Sequence, residues 1–377
     1  MKKIFVLTGE PSGDKLASKV VNKLQSIRSD INYLSVGGEH LKSLDINSIY
    51  DLRDITYLGF TRVLLNIFTI KKKINQTVNA IIKFNPEVLF SVDSPDFTLR
   101  VAKKVKKINP NIKTIHFVAP QVWVWREGRV KRLKKYIDHM LLLFSFEKKY
   151  FSKENITSTF VGHPLLDQTN KDKLDLHTIV KKDSKIISIF PGSRLSEIKV
   201  LMPILLNFVT LSQSNYIDFT YIFHSTIKHK ETIKQLILDS KLSNCEVICD
   251  ISIKKNILNK TTFAIAKSGT VSLEICNSKI PSIIIYKMNF INFFIIKMLI
   301  KVKYANIVNI ITNEEIIPEL LQSKCNSTHI YKVFKNFIDN PSLISKQIKE
   351  YGSIINGITT KANASENVAT ILSENLN

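Results

Sequence analysis

The sequence predicts an α/β protein made of two doubly wound parallel-sheet domains facing each other across a cleft. Three observations carry this. The chain has 377 residues, enough for two domains that each bury a core of their own. Short, nearly unbroken apolar runs alternate with amphipathic stretches, which is how parallel strands covered on both faces read. After a polar, charged stretch at 167–184 the alternation starts again, so that stretch reads as a linker. The expected domains are residues 1–175 and residues 185–350.

Each element follows from its local pattern. The run 4–8 stops at Gly9, and residues 15–27 carry Leu16, Val20, Val21 and Leu24 at helical spacing. The run 33–36 stops at Gly37-Gly38, and 88–92 follows Asn85-Pro86. The run 114–118 stops at Ala119-Pro120, and 140–144 and 158–161 complete the first domain. In the second, 185–190 stops at Pro191-Gly192, 220–223 at His224, and 245–249 at Asp250. The run 263–266 precedes Ser268-Gly269, and 282–286 follows Pro281. Ligands bind open parallel sheets at the carboxyl ends of the strands, so the chemistry belongs in the loops that follow these runs.

Composition narrows the function. Lys and Arg number 54 against 32 Asp and Glu, a formal charge of +22 that draws polyanions and anionic lipid surfaces. A nucleic-acid stripe would interleave Arg with aromatic residues, and nearly all the cations here are Lys, so no nucleic-acid partner is expected. Four scattered Cys argue against a disulfide framework and for a reducing, cytoplasmic setting. No run of 18 apolar residues is long enough to span a bilayer. The apolar-basic segments 63–73 and 290–303 read either as buried helices or as interfacial helices on an anionic membrane.

The loops hold the unusual residues. Gly9-Glu10-Pro11-Ser12-Gly13-Asp14 fits neither a Walker A loop nor a dinucleotide fingerprint. It reads as a tight turn capped by Ser12 or Asp14, or as a helix N-terminus with two glycines facing the cleft. Asp93 and Asp96 follow a buried strand, and Pro95 keeps Asp93 at the strand tip, where a carboxylate serves either as a general base for a hydroxyl or as a helix cap. Trp123 and Trp125 beside Arg126, Arg129 and Arg132 read as packing or as a partly buried surface for a lipid or sugar phosphate.

Pro191-Gly192-Ser193-Arg194, with Glu197, places amides at a helix start, and Arg194 adds a planar fork suited to diphosphate oxygens. Lys267-Ser268-Gly269-Thr270 repeats the device, with Glu274 a turn further on for ribose hydroxyls. Together they point to a nucleotide-diphosphate site. His163 ends the last strand of the first half and reads as structural or as cleft-lining. Cys245 and Cys249 lack nearby His, and no Asp-x-Asp pair occurs, so neither a metal nor another cofactor is expected.

The set Gly9–Asp14, Val92–Phe97, Pro120–Arg126, Phe146-Glu147, Gly162–Pro164, Pro191–Arg194 with Glu197, and Ser268–Thr270 with Glu274 resembles the lipid-A-disaccharide synthases. The later Tyr304, Asn309 and Pro318-Glu-Leu-Leu-Gln322 fit as well, and the order of the motifs is the family's. Pro11 and Pro318 depart from its pattern. The resemblance implies the GT-B glycosyltransferase fold and an inverting, metal-independent transfer. Its donor would be UDP-2,3-diacylglucosamine, its acceptor 2,3-diacylglucosamine 1-phosphate, and its products a β-1,6 disaccharide and UDP.

By matching position it implies Asp93 as the base or essential carboxylate and Arg194 as the diphosphate clamp. Gly9, Glu10, Ser12, Gly13, Asp14, Trp123, Arg126 and His163 would contact substrate. So would Gly192, Ser193, Glu197, Ser268, Gly269, Thr270, Glu274, Asn309 and Glu315. It also implies attachment to the inner face of the inner membrane. The helical segment 355–377 would pack back on the first domain or exchange within a homodimer. The residues alone leave two rivals: a transferase for another UDP-sugar with a soluble or polyprenyl-linked acceptor, and a non-catalytic protein that binds polyanions.

Overall fold

The computed structural model of the protein describes residues 1–55, 67–125, 127–167, 180, 184–289, 293, 298 and 302–376. The chain forms two units, residues 1–168 with 357–377 and residues 169–356.

The first unit holds six parallel strands: β1 Lys2–Thr8, β2 Ile31–Val36, β3 Val88–Val92, β4 Lys113–Phe117, β5 His139–Leu142 and β6 Ser158–Phe160. They lie in the order β2-β1-β3-β4-β5-β6. Val6 pairs with Ser35 on one side and with Phe90 on the other. Alternate side chains build two cores. Phe5, Leu7 and Leu89 pack with Ile74, Val78 and Ile81 of α2 (Ile67–Phe84) and Leu99 and Val105 of α3 (Pro95–Ile108). Ile4, Val6, Phe90 and Val92 pack with Ala17, Val20, Val21 and Leu24 of α1 (Pro11–Ile27). Helix α1 starts four residues before the expected position because Pro11, with its fixed φ and missing N–H, suits the first helical turn.

The C-terminal helix Ala364–Glu374 joins this second core through Val368, Ala369 and Leu372, lying on α1 of its own chain. The expected single helix over 355–377 is thus corrected. The helix Pro341–Ile358 ends, and a new one begins after Asn363, whose amide is capped by Glu366.

The second unit repeats the design with β7 Lys185–Phe190, β8 Phe219–His224, β9 Cys245–Ile248, β10 Thr261–Lys267, β11 Ser282–Tyr286 and β12 Glu319–Leu321. Their order is β12-β11-β10-β7-β8-β9, all parallel. One face is covered by α4 (Leu195–Gln213) and α7 (Ser327–Asp339), the other in part by α5 (Ile251–Leu258); the short α6 (Val271–Asn277) follows β10. Phe334 anchors the larger core, edge-on to Phe208, Phe219 and Phe263 at 5.5, 5.9 and 5.3 Å. Among the described residues α4 alone is long and apolar enough to cross a membrane, and its apolar side chains line this core.

Each sheet reverses direction of build-out once, between β1 and β3 in the first unit and between β7 and β10 in the second. The loops after those four strands start at Gly9, Asp93, Pro191 and Ser268, the places where doubly wound sheets take their ligands.

Candidate active site

In the first unit the β1–α1 and β3–α3 loops are pressed together. A Cβ on Gly9 would lie 2.6 Å from Ser94 Cβ, so only glycine lets the two loops meet. The Ser12 hydroxyl and the Ser94 amide both hydrogen-bond to the Asp93 carboxylate. Burial raises the Asp93 carboxyl above its ordinary range, and those two donors pull the other way. The backbone here is held where L-residues seldom sit: φ is +54° at Asp93, +46° at Ser94 and +72° at Val118, the last a β-branched residue at the tip of β4. Such conformations cost about 1–3 kcal/mol each and cluster where geometry is functionally set. The Ser94 Oγ is buried with no hydrogen-bond partner among the described residues.

These groups open on a cavity of about 290 Å³ lined by Asp93, Val118, Gln121, Arg129, Phe144 and Glu147, among others. Glu147 is 3% exposed; its Oε1 accepts from Trp123 Nε1 at 3.2 Å and its Oε2 from the Phe144 amide at 3.1 Å. Burial pushes its carboxyl up to about 7, against the pull of those donors.

In the second unit the loops after β7, β8, β9 and β10 surround a cavity of about 250 Å³. Gly192 has φ +109°, and a Cβ there would come within 2.5 Å of Glu197 Oε2, so the turn needs glycine. The Ser193 amide donates to Glu197 Oε2 at 3.2 Å, at the N-terminus of α4. Lys267 Nζ lies 3.0 Å from Glu197, and Lys254 pairs with Glu274. The Phe190 ring stacks on His224, centroids 4.2 Å apart and planes 6° apart. Beside these, Arg194 carries its guanidinium largely into solvent, 3.8 Å from Glu197. The helix start at α4 and the two lysines give this cavity donors that suit an anionic ligand, and the buried Phe190–His224 pair, with Lys254 over the Phe190 ring, forms its floor.

Of the residues expected from sequence, Gly9, Ser12, Gly13 and Asp93 come together in the first unit, with Glu10 at the N-cap position of α1. Gly192, Ser193, Glu197, Ser268, Gly269 and Thr270 come together around the second cavity. Other expected residues are engaged elsewhere within the protein. Asp14 is buried with its carboxylate taking the amides of Gly38 and His40 at 2.7 and 2.9 Å, so it ties α1 to the β2 loop and has no face left for substrate. Trp123 is 5% exposed and packs edge-on to Phe146; it props Glu147 and offers no lipid-facing surface.

Asn309 is buried, its amide spent on Ile317 and Glu319. Glu315 accepts the Glu319 amide at 3.1 Å, outside the cavity lining. Glu274 is engaged by Lys254. His163 accepts the Leu165 amide, packs on Phe144, and burial pushes its imidazole down to about 4. The Arg126 expectation, most of the linker 167–184, residues 63–66 of the segment 63–73 and most of the segment 290–303 lie outside the described residues.

Sequence reading named Lys267 in its loop but missed Phe190, His224, Thr226, Asp250 and Lys254 as cavity walls. His224, Asp250 and Lys267 stand at or just after strand ends and were visible by position; Lys254, on α5, carried no such signal.

The family model described as lipid-A-disaccharide synthetase matches residues 4–371. A lipid-A-disaccharide synthase of Rickettsia bellii (strain OSU 85-389) is 35% identical over 384 residues, spanning 96% of this chain and 96% of that protein. Another, from Rhodospirillum centenum, is 29% identical over 350 residues, spanning 92% and 87%. Among solved structures, a UDP-GlcNAc 2-epimerase from Neisseria meningitidis bound to UDP-GlcNAc superposes with a TM-score of 0.64 at 14% identity, covering 100% of this chain and 99% of that one. At that identity the likeness shows the fold, that of the GT-B proteins with their two Rossmann-like domains.

Proposed function

Because the chain belongs to the lipid-A-disaccharide synthetase family, and is therefore a glycosyltransferase of lipid A disaccharide synthesis, we propose the reaction in detail. The donor is UDP-2,3-diacylglucosamine and the acceptor 2,3-diacylglucosamine 1-phosphate. The acceptor's 6-hydroxyl oxygen bonds to the donor's anomeric carbon as the bond from that carbon to the diphosphate oxygen breaks. The hydroxyl proton passes to Asp93, UDP leaves, and a single displacement inverts the anomeric centre to a β-1,6 link.

The observation that carries this reading is the Asp93 tip: a desolvated carboxylate held by Ser12 and Ser94 on strained backbone. A carboxyl raised by burial is a better proton acceptor than one in water, and its fixed position shortens the proton's path. Charge gathering on the departing diphosphate is met by Arg194, Lys267, Lys254 and the amides at the starts of α4 and α6, so the transfer proceeds without a metal. Glu147, its carboxyl raised to about 7, is present in both protonation states near neutral pH and so can donate or accept within the acceptor cavity.

The enzyme works on the inner face of the inner membrane. Lys71 and Lys72 are exposed and Phe68 is 84% exposed on α2, an apolar-basic strip suited to an anionic bilayer. Lys73 does not share that task, because it pairs with Asp54 at 2.6 Å and lies over the Tyr50 ring.

Incubating the purified protein with both acylated sugars and a chelator tests the reading. Disaccharide with a β link and one UDP per product is expected; no disaccharide, or turnover lost with the chelator, overturns it.

A further inference from the structure

Arginine is scarce here: eight of the 54 cationic residues. Three of the eight, Arg100, Arg129 and Arg132, line one cavity of about 540 Å³ on the outer end of α3, together with Lys103, Lys107 and Lys135. A smaller cavity beside it is walled by Arg100, Arg129 and Arg132 again, with Asp96 as its only acidic residue. Among the described residues neither Arg100 nor Arg132 has an ion-pair partner, whereas Lys106 pairs with Asp138 and Arg129 reaches Asp96 at 3.4 Å. Like charges this close repel within a Debye length, so the cluster costs stability unless an anion sits among them. Planar guanidinium forks in place of Lys point to an oxyanion with several oxygens, a phosphate ester above all.

The cluster is also continuous with the Asp93 cavity. Arg129 lines both arginine cavities and the one that holds Asp93 and Glu147, and its guanidinium is fixed by the Pro95 carbonyl at 3.3 Å. A sugar whose hydroxyl lies at Asp93 therefore meets Arg129 first and Arg100 and Arg132 beyond it. We propose that this arginine cavity is the subsite for the phosphate monoester carried by the acceptor sugar. The inference rests on the acceptor reading above and adds to it the residues that recognise the phosphate and select phosphorylated over unphosphorylated sugar.

The test reads binding and is independent of turnover. Glucosamine 1-phosphate and glucosamine are titrated into the wild type and into Arg100→Gln/Arg132→Gln, with UDP affinity as the measure of an intact fold. Binding of phosphatidylglycerol vesicles is followed in parallel. The wild type is expected to prefer glucosamine 1-phosphate at least tenfold, the double variant to lose that preference, and UDP affinity to stay the same. Each single variant, with one exposed side chain shortened, is expected to lose at least threefold.

A wild type with no preference, or a double variant that keeps it, overturns the proposal. A double variant that keeps the preference and loses only vesicle binding overturns it in favour of a lipid-headgroup site. Failure of the disaccharide assay with the phosphate preference intact would instead count against the reaction proposed above, so the two failures are told apart.

Discussion

At the scale of single residues, the chemistry depends on where burial and hydrogen bonding leave each charge. Arg194 stands beside the second-unit cavity with its side chain 76% exposed and is paired only loosely with Glu197 at 3.8 Å. It is therefore free to turn onto a diphosphate, and Arg194→Ala is expected to lower kcat/KM about 10²-fold, the cost of one oxyanion donor; steady-state kinetics checks this. Glu147 has the opposite situation. Its carboxyl, ordinarily near 4.5 and raised to about 7 by burial, is stabilised as the neutral acid, so its contribution is complete below pH 4.5 and lost as pH rises to about 7.

That loss amounts to about 3 kcal/mol. In Glu147→Gln this pH dependence should vanish, against a pH-independent cost of about 1–3 kcal/mol from the mismatched Phe144 amide; melting curves from pH 4.5 to 7.5 read both. Asp93 was legible in sequence because a carboxylate just past an apolar run, with proline two residues on, can hardly lie anywhere but the strand tip. The engagement of Asp14, Trp123 and Asn309 within the protein was not legible, because motif position does not say which way a side chain turns. Each is spent on a partner distant in sequence or on the backbone of a loop.

At the scale of elements, the C-terminal helix shows how a late segment completes an early core. Leu372 is fully buried among Val20, Val21 and Leu24, and Glu366 reaches Lys23 at 2.7 Å. The apolar contact dominates, since the ion pair is half-exposed and exposed pairs contribute about 0–1 kcal/mol. Leu372→Ala is expected to cost about 2–5 kcal/mol. Thermal unfolding should show the first unit melting earlier while UDP still protects the second. Eleven of the twelve strands were legible as apolar runs. Strand β12 was not, because three residues after Pro318 carry too little pattern. The break at 359–363 between the last two helices was also unreadable, since it depends on the Asn363 cap rather than on periodicity.

At the scale of the whole molecule, the two units share one architecture, and the proposed reaction divides the labour between them, with the acceptor carboxylate in one and the diphosphate pocket in the other. They also share an acid-sensitive feature. His116 in the first unit and His224 in the second are fully desolvated, and burial pushes both down to about 3. A depressed histidine stabilises the fold above its ordinary value near 6.5 and loses that contribution as pH falls towards 3. Each contributes a slope of about 1.4 kcal/mol per pH unit. Together with His163, which burial also depresses, they outweigh the opposing slopes of the raised carboxyls Glu147 and Asp93, so stability should fall on acidification below pH 6.5. Denaturant melts at pH 5 and 6.5 measure this.

The division of labour is tested most directly by Asp93→Asn, assayed for UDP binding and for disaccharide formation on one preparation. UDP affinity equal to wild type with product formation down at least 10³-fold is the predicted result. A variant that still makes disaccharide within tenfold of the wild-type rate would contradict the account.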